Sequence, residues 1–170
     1  MRFLKRNYWI VITFFCVLLD QISKFLVEWL IPYRDTVFII PDFFSLHHTR
    51  NNGAAFGILA GYRWVFMTVT ALIIIFAIYL ICSKKIRNFW GVLSLSLVIG
   101  GGIGNMIDRI ICGEVTDFFA FTFWGYEFAV FNVADIFVCC GTILLAIYIL
   151  FTHDFDSDKK ELKQEDHEET

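Results

Sequence analysis

Residues 89–109 read FWGVLSLSLVIGGGIGNMIDR, and this stretch decides what kind of protein the chain is. Apart from Asn105, Asp108 and Arg109, its residues are apolar or small. As a helix it is long enough to cross a hydrocarbon core of roughly 30 Å, which takes about 20 residues. The spacing of the three polar residues puts them on one face of that helix. The stretch therefore predicts a transmembrane helix with a polar cluster at one end.

Three further stretches have the length and composition of membrane spans. They are Tyr8–Leu30, Arg63–Cys82 and Asn132–Phe151. The stretch quoted above supplies the remaining predicted span, Phe89–Ile107. The chain is 58% hydrophobic, whereas soluble domains are about 45–50% apolar. Basic residues precede the first span, as in a signal peptide, but the segment continues past Asp20 without a small-residue cleavage site, so we expect it to be retained. The predicted fold class is an all-α membrane protein with four transmembrane helices.

The distribution of Lys and Arg predicts the orientation, because cytoplasmic loops carry an excess of basic residues. With four spans, nine basic residues fall on one side: Arg2, Lys5, Arg6, Lys84, Lys85, Arg87, Lys159, Lys160 and Lys163. We therefore expect both termini in the cytoplasm, with residues 1–153 forming the membrane domain and residues 154–170 a disordered acidic cytoplasmic tail. The net charge of -3 provides no basic face for nucleic acid.

The two long outer loops are rich in residues that favour β-strands. Thr36–Ile40 and Phe43–His48 flank a turn at Pro41-Asp42, and Phe118–Phe123 and Tyr126–Val130 flank Trp124-Gly125, a sequence typical of a hairpin. These loops, about 33–60 and 113–131, are predicted to form small β elements that cover the outer ends of the helices.

Charged side chains inside spans cost about 2.5–3.5 kcal/mol at the bilayer centre and are therefore candidates for function. Asp20 and Lys24 lie four residues apart in the outer half of the first span, where they can pair. Asp135 lies about one turn below the outer surface in the fourth span, and Asp117 belongs to the loop before it. These residues are therefore predicted to lie at the same depth as the polar end of the third span.

Each polar residue alone has a structural explanation. Asp20 and Lys24 form an ordinary ion pair, Arg109 extends from a helix end to the surface, and Asn132 caps a helix. Chance does not readily place all of them at one level, on three helices and one loop. Their coincidence indicates a site.

The available residue types restrict the chemistry of that site. The sequence contains no His-Glu-x-x-His motif, so we expect no metal, and a serine triad lacks a His near the cluster. Two carboxylates that lie close together share a proton near neutral pH, so that one can take a proton from water while the other polarises a carbonyl. Asp117 and Asp135 are the candidates for such amide hydrolysis, which needs no cofactor.

Two other classes of protein remain open from the residues alone. In a small transporter or proton-conducting protein, buried Asp and Lys side chains relay ions. Such a protein is expected to distribute its charges through the bilayer depth, whereas here they concentrate at the outer end. A non-catalytic membrane scaffold accounts for the spans but gives no reason for Asp135 inside one.

Four sequence blocks, in order along most of the chain, carry a resemblance to a known family. They are Asp20-Gln21-Ile22-Ser23-Lys24; Arg50-Asn51-Asn52-Gly53-Ala54-Ala55-Phe56; Gly104-Asn105-Met106-Ile107-Asp108-Arg109; and Val115-Thr116-Asp117-Phe118 followed by Phe131-Asn132-Val133-Ala134-Asp135. With these blocks the chain resembles the lipoprotein signal peptidases, the type II signal peptidases of bacteria. One departure is that Ala129 and Val130 stand where many members carry a Pro, which puts the local loop conformation in question.

The resemblance implies an aspartic endopeptidase that removes signal peptides from prolipoproteins, cutting before a diacylglyceryl-modified Cys. It implies that Asp117 and Asp135 are the catalytic dyad. The matching positions that line or support the site are Asn51, Gly53, Asn105, Asp108, Arg109, Asn132, Asp20 and Lys24. The family's fold implies four transmembrane helices with a small extracytoplasmic β-cradle, in the bacterial cytoplasmic membrane, with the active site near the outer face. We further expect a monomer in contact with membrane lipid.

Overall fold

The structure, a computed structural model, describes the backbone of residues 7–53 and 62–168 and the side chains of residues 7–53 and 62–151. Four long helices account for most of it: α1 is Tyr8–Leu30, α2 is Arg63–Cys82, α3 is Phe89–Ile111 and α4 is Val133–Glu168. Each helix contains a stretch long and apolar enough to cross a membrane. The four predicted spans are thereby confirmed by length and composition, and α3 extends one turn beyond its predicted end.

The last helix differs from expectation beyond its apolar part. The membrane-compatible segment is Val133–Phe151, but α4 continues to Glu168 through residues predicted to form a disordered tail. Several Glu and Lys residues in this segment favour helix. Elongation of an existing helix also avoids the cost of a new nucleus.

Helix α3 lies at the centre of the bundle and packs against the other three helices. Three consecutive glycines face three different neighbours. A Cβ on Gly100 would meet Cys16 of α1, one on Gly101 would meet the carbonyl of Ala134 in α4, and one on Gly102 would lie 3.3 Å from Thr70 of α2. Small residues allow helix backbones to approach closely in membranes. The glycines therefore allow α3 to contact all three neighbours at once.

The two predicted β regions form a single sheet. Strands β1 (Thr36–Ile40), β2 (Phe44–Asn51), β3 (Val115–Phe123) and β4 (Tyr126–Glu127) pair antiparallel in that order. The small β elements are thus confirmed, and the pairing of β2 with β3 joins the two loops. Residues 54–61 lie outside the described part of the chain.

The hairpin after β3 is shorter than predicted. Phe123 pairs with Tyr126 across Trp124-Gly125, and both turn residues have positive φ, as a two-residue type I′ turn requires. The predicted second strand, Tyr126–Val130, ends at Glu127. The chain returns to β3 at Phe131, which forms an isolated bridge with Phe119. Between these points the Phe128 amide still donates to the Phe121 carbonyl at 2.9 Å, and residues 128–130 form part of a cavity wall.

A small apolar cluster fixes the sheet to the helix bundle. Phe118 in β3 is buried with Val27 and Ile31 at the end of α1. Burying a Phe or Val side chain stabilises by about 1.5–3 kcal/mol. Because Phe118 is anchored, the preceding residue, Asp117, is held against the ends of the helices.

Candidate active site

The predicted site residues converge at one end of the helix bundle. They lie in the second half of α1, near the end of α3, at the start of α4, and on or just after the paired strands β2 and β3; they are Asp20, Lys24, Asn51, Gly53, Asn105, Asp108, Arg109, Asp117, Asn132 and Asp135. Direct hydrogen bonds and ion pairs connect all ten, either to one another or through a shared partner. The structure therefore brings the ten predicted residues together.

Asp117 is held by two amide side chains. It is 3% exposed. Its Oδ1 accepts a hydrogen bond from Asn132 Nδ2 at 2.6 Å, and its Oδ2 accepts one from Asn51 Nδ2 at 3.0 Å. Asn51 is itself fixed, since its Oδ1 accepts from the Gly53 amide at 2.9 Å. Both carboxylate oxygens are thus oriented by donors from different elements.

Asp135 is fixed by a reciprocal cap at the start of α4. Its amide donates to Asn132 Oδ1 at 3.0 Å, and its Oδ2 accepts from the Asn132 amide at 3.1 Å. This is the geometry of a capping box, in which two helix-end donors are satisfied. The remaining oxygen, Oδ1, accepts from Asn105 Nδ2 at 2.8 Å. The capping role and the site role of Asn132, alternatives in the sequence, therefore coexist.

Asn132 and Asn105 connect the two aspartates. Asn132 is fully buried; its side chain contacts Asp117, and its backbone amide contacts Asp135. Its Nδ2 also donates to Asn105 Oδ1 at 3.1 Å, and the same oxygen accepts from Lys24 Nζ at 2.9 Å. The dyad candidates are therefore part of one continuous hydrogen-bonded network.

The environment of Asp117 favours its protonated form. Burial, together with the nearby charge of Asp135, raises the pKa of this carboxyl from 3.8 to about 7, against the opposing effect of the hydrogen bonds from Asn51 and Asn132. A neighbouring carboxylate has this effect because two like charges cannot both be accommodated without cost. Near neutral pH, the pair is thus suited to hold a single proton.

Asp20 and Lys24 form the predicted pair, but Lys24 also has a second partner. Its Nζ lies 2.8 Å from Asp20 Oδ2 and 2.8 Å from Asp108 Oδ2. Gln21, which sequence reasoning did not single out, donates to Asp108 Oδ1 at 3.0 Å and to Asp20 Oδ2 at 3.1 Å. A buried cation with two carboxylates and an amide neighbour is well compensated, as burial requires. Gly104 makes room for this group, because a Cβ there would overlap Asp20 Oδ2.

Arg109 brings a positive charge to the same region. Its guanidinium donates to the Gly53 carbonyl at 3.3 Å and lies 5.4 Å from the centroid of the Phe66 ring. It is half-buried rather than extended into solvent. The expectation that it merely extends from a helix end is therefore too simple.

A cavity of about 740 Å3 opens beside the two aspartates. One part of its wall is polar and the other is largely apolar and formed by α4 and the segment before it. It is lined by Asn51, Gly53, Asn105, Arg109, Val115, Asp117, Phe128, Ala129, Val130, Phe131, Asp135, Ile136, Val138, Cys139, Cys140, Thr142 and Ile143. Ala129 and Val130, which depart from the family pattern, are thus part of the wall. The volume suits a segment of extended peptide or a lipid chain rather than a single ion.

Among the residues that the structure describes, no group of three or more His, Cys, Asp or Glu side chains could hold a metal ion. The oxygens of Asp117 and Asp135 are instead directed at amide donors.

Comparison with known proteins identifies the family. The model of a family described as signal peptidase (SPase) II matches residues 12–151. The chain belongs to the signal peptidase II family. A lipoprotein signal peptidase of Staphylococcus aureus is 36% identical over 151 residues, covering 89% of this chain and 93% of the relative. Another, from Staphylococcus aureus strain JH9, is 38% identical over 141 residues, covering 83% and 86%.

Solved structures of bacterial membrane enzymes share the fold of this chain. Two structures described as bacterial membrane enzymes, at 2.3 Å and 1.9 Å resolution, are each 36% identical to this chain. The first has a TM-score of 0.78 and covers 85% of this chain and 88% of its own; the second has a TM-score of 0.76 and covers 85% and 93%. Family membership indicates a multi-pass bacterial membrane protease, which favours the hydrolase over the transporter and the scaffold.

Proposed function

We propose that this chain is an aspartic endopeptidase that removes signal peptides from prolipoproteins, with Asp117 and Asp135 as its catalytic dyad. The observation that carries the proposal is that Asn132 holds both carboxylates, one by its side chain and one by its backbone, at the wall of a large cavity. Known lipoprotein signal peptidases are similar over most of the chain.

The proposed reaction uses one proton shared by the dyad. The ionised carboxylate takes a proton from water, and the water oxygen bonds to the carbonyl carbon of the scissile peptide. The protonated carboxyl donates a hydrogen bond to the carbonyl oxygen as negative charge develops there. When the C–N bond breaks, a proton passes to the leaving amine, and the dyad again holds one proton. Because the two groups are coupled, the titration belongs to the pair.

The residues around the dyad are proposed to position the substrate backbone. Asn51 and Asn132 fix the oxygens of Asp117, while Asn105 fixes Asp135. Arg109 lies on the same cavity wall and carries a positive charge that can stabilise a developing oxyanion. Asp20, Lys24 and Asp108 act at a distance, since they hold the ends of the helices that carry these side chains.

The apolar part of the cavity supports a lipid-modified substrate. Val138, Thr142 and Ile143 follow the dyad along α4 and continue the cavity away from the polar end. A diacylglyceryl chain on the Cys after the scissile bond would lie against this wall, and each buried CH₂ contributes roughly 0.8 kcal/mol. We therefore propose that cleavage occurs before this lipidated Cys and that the lipid fixes the depth of the bond.

The orientation proposed from the basic residues places the site and the β-cradle on the outer side. The Lys84–Arg87 region lies at the opposite end of the bundle from Asp117, and an excess of basic residues favours the cytoplasmic side. The protein would then act as a monomer in the cytoplasmic membrane, with a cytoplasmic C-terminal segment.

Cleavage of a purified prolipoprotein by two single variants tests the proposal. Asp117→Asn and Asp135→Asn are each expected to lower the rate by at least about a hundredfold, because an amide can neither accept nor shuttle the proton. Asp42→Asn is the matched control, since Asp42 is exposed and lies in a turn at φ 58°, a conformation that Asn tolerates. Near-normal cleavage by a folded Asp117→Asn or Asp135→Asn variant would contradict the proposed mechanism.

A further inference from the structure

A second cavity, of about 490 Å3, lies at the end of the bundle opposite the carboxylates. It is formed by the start of α1 and by the loop that joins α2 to α3. Lys84 and Arg87 provide its positive charge, Tyr8 and Trp9 its aromatic wall, and residues such as Ile86 its aliphatic wall. The cavity thus combines cations with an apolar surface at a helix end.

The two cations are available for an anionic ligand. Both are exposed, and neither forms an ion pair with any residue whose side chain is described. Arg87 Nε donates to the Lys84 carbonyl at 3.0 Å, which uses one of the five N–H donors of the guanidinium. This bond fixes the Arg87 side chain to the backbone of Lys84, and both residues line the cavity.

The loop holds these residues in a fixed backbone conformation. Lys84 has φ 57°, its amide donates to the Ile81 carbonyl at 3.1 Å, and the Lys85 amide donates to the Leu80 carbonyl at 3.1 Å. These two bonds form a Schellman motif, which ends α2. Lys85 differs from its neighbour because its Nζ lies 5.1 Å from the Tyr79 ring centroid and it does not line the cavity.

We propose that this cavity binds the headgroup phosphate of an anionic phospholipid. Basic pockets between helix ends bind such headgroups in membrane proteins, and Tyr and Trp side chains favour the depth of the glycerol and headgroup region. Lys84 and Arg87 would contact the phosphate, while Trp9 and Ile86 would contact the glycerol and the first methylenes. A free phosphate matches the cations but leaves the apolar walls unused. The site is separate from the dyad and does not depend on the proposed peptidase function.

Retention of phosphatidylglycerol by the purified full-length chain in detergent, measured by native mass spectrometry, tests this site. Lys84→Asn and Arg87→Gln are each expected to lower retention by roughly fivefold, given the contribution of one basic residue to anionic lipid binding. Asn suits position 84 because it tolerates positive φ. Lys85→Gln is the matched control: it removes the same charge from the same loop and should leave retention unchanged.

Three outcomes would overturn the proposal. An equal loss in Lys85→Gln would mean that diffuse charge, and not the cavity, attracts the lipid. Equal retention of phosphatidylcholine would show that the net negative charge is irrelevant. Displacement of the lipid by inorganic phosphate at the same concentration would show that the apolar walls contribute nothing. If Lys84→Asn does not fold, as judged by size-exclusion chromatography, Arg87→Gln carries the test, since Arg87 lies outside the turn.

Discussion

Asp20 Oδ1 accepts a hydrogen bond from the backbone amide of Ala134 at 2.9 Å. A carboxylate from the first helix thereby caps the N-terminus of the last, where the partial positive charge of the helix end favours an anion. The dyad candidate Asp135 follows Ala134 directly. The ion pair of Asp20 with Lys24 is therefore also a tertiary clamp that holds the start of α4 in place.

This clamp predicts unequal effects for the two partners of Lys24. Asp20→Ala is expected to destabilise the protein by about 3–5 kcal/mol, because Lys24 loses a buried partner and α4 loses a cap. Asp108→Ala should cost less, since Asp108 is 11% exposed and water can replace it. Thermal unfolding in detergent measures the difference. Equal melting temperatures for the two variants would contradict the capping role of Asp20.

Two substitutions of Asn132 separate its two roles. Asn132→Ser keeps an oxygen that can accept the Asp135 amide, but it lacks the Nδ2 donor to Asp117. We expect near-normal stability with a large loss of cleavage. Asn132→Ala should lose cleavage and also about 1 kcal/mol of stability, the usual cost of losing an N-cap. Normal cleavage by the Ser variant would show that Asp117 does not need the amide donor.

The raised pKa of Asp117 predicts how activity changes with pH. Burial and the charge of Asp135 hold this pKa at about 7, so the dyad loses its shared proton as the pH rises through that value. Cleavage of a prolipoprotein should therefore decline above about pH 7. The rate between pH 5 and 9, with substrate saturating, measures the effect. A rate that stays constant up to pH 9 would exclude a protonated carboxyl in the reaction.

The same shift predicts a change in stability. The folded pKa of about 7 exceeds the ordinary value of 3.8, so the folded state holds the proton more tightly than the unfolded state. The resulting stabilisation is present at about pH 4 and is lost as the pH rises to about 7, amounting to roughly 4 kcal/mol for a shift of about three units. The melting temperature of the wild-type protein should fall more than that of Asp117→Asn over this range. If the melting temperatures of the two proteins changed in parallel with pH, the raised pKa of Asp117 would be contradicted.

The proposed lipid contact predicts that the diacylglyceryl group speeds cleavage by at least about tenfold, because it anchors the scissile bond at the dyad. Ile143→Asn should weaken this preference, since Ile143 lines the cavity. Ile147→Asn is the matched control one turn further along α4, where the side chain is also exposed but does not line the cavity. Rates measured with and without the lipid on one substrate give the ratio. An equal ratio for both variants would place the lipid elsewhere.

The proposed orientation predicts which ends of the helices face the outside of the cell. In a variant without the native cysteines, Phe38→Cys on the exposed edge strand β1 should react with a membrane-impermeant maleimide in intact cells. Lys85→Cys, in the loop at the opposite end, should react after the cells are opened. If Lys85→Cys reacted in intact cells and Phe38→Cys did not, the proposed orientation would be wrong.

The sequence predicted the features that depend on local pattern. Apolar length located all four spans, and turn residues such as Trp124-Gly125 located the hairpin. The spacing of Asp20 and Lys24 predicted their pairing because residues four apart share a helix face. The motif blocks then brought Asp117 and Asp135 together as candidates.

Contacts between distant elements could not be predicted in this way. The second partner of Lys24, Asp108, comes from another helix. The backbone amide that donates a hydrogen bond to Asp20, that of Ala134, also comes from another helix. The pairing of β2 with β3 joins loops that are separated by two spans. Hydrophobic periodicity predicts which face of a helix or strand is buried, but it does not predict which other element packs against that face. The available signal for Gln21 was its place inside the Asp20–Lys24 block. Its side chain connects α1 with α3.

The run of glycines in α3 has a consequence for how the chain enters the membrane. Glycines and polar residues make α3 the least apolar of the four spans, although it is the most buried. A segment of this kind gains little from lipid alone and depends on neighbouring helices for its stability in the bilayer. During synthesis α1 and α2 precede it, whereas α4, which covers Gly101, follows. We therefore expect α3 to reach its stable packing only after α4 has been made, because α4 covers Gly101 and carries Asp135, which Asn105 of α3 contacts.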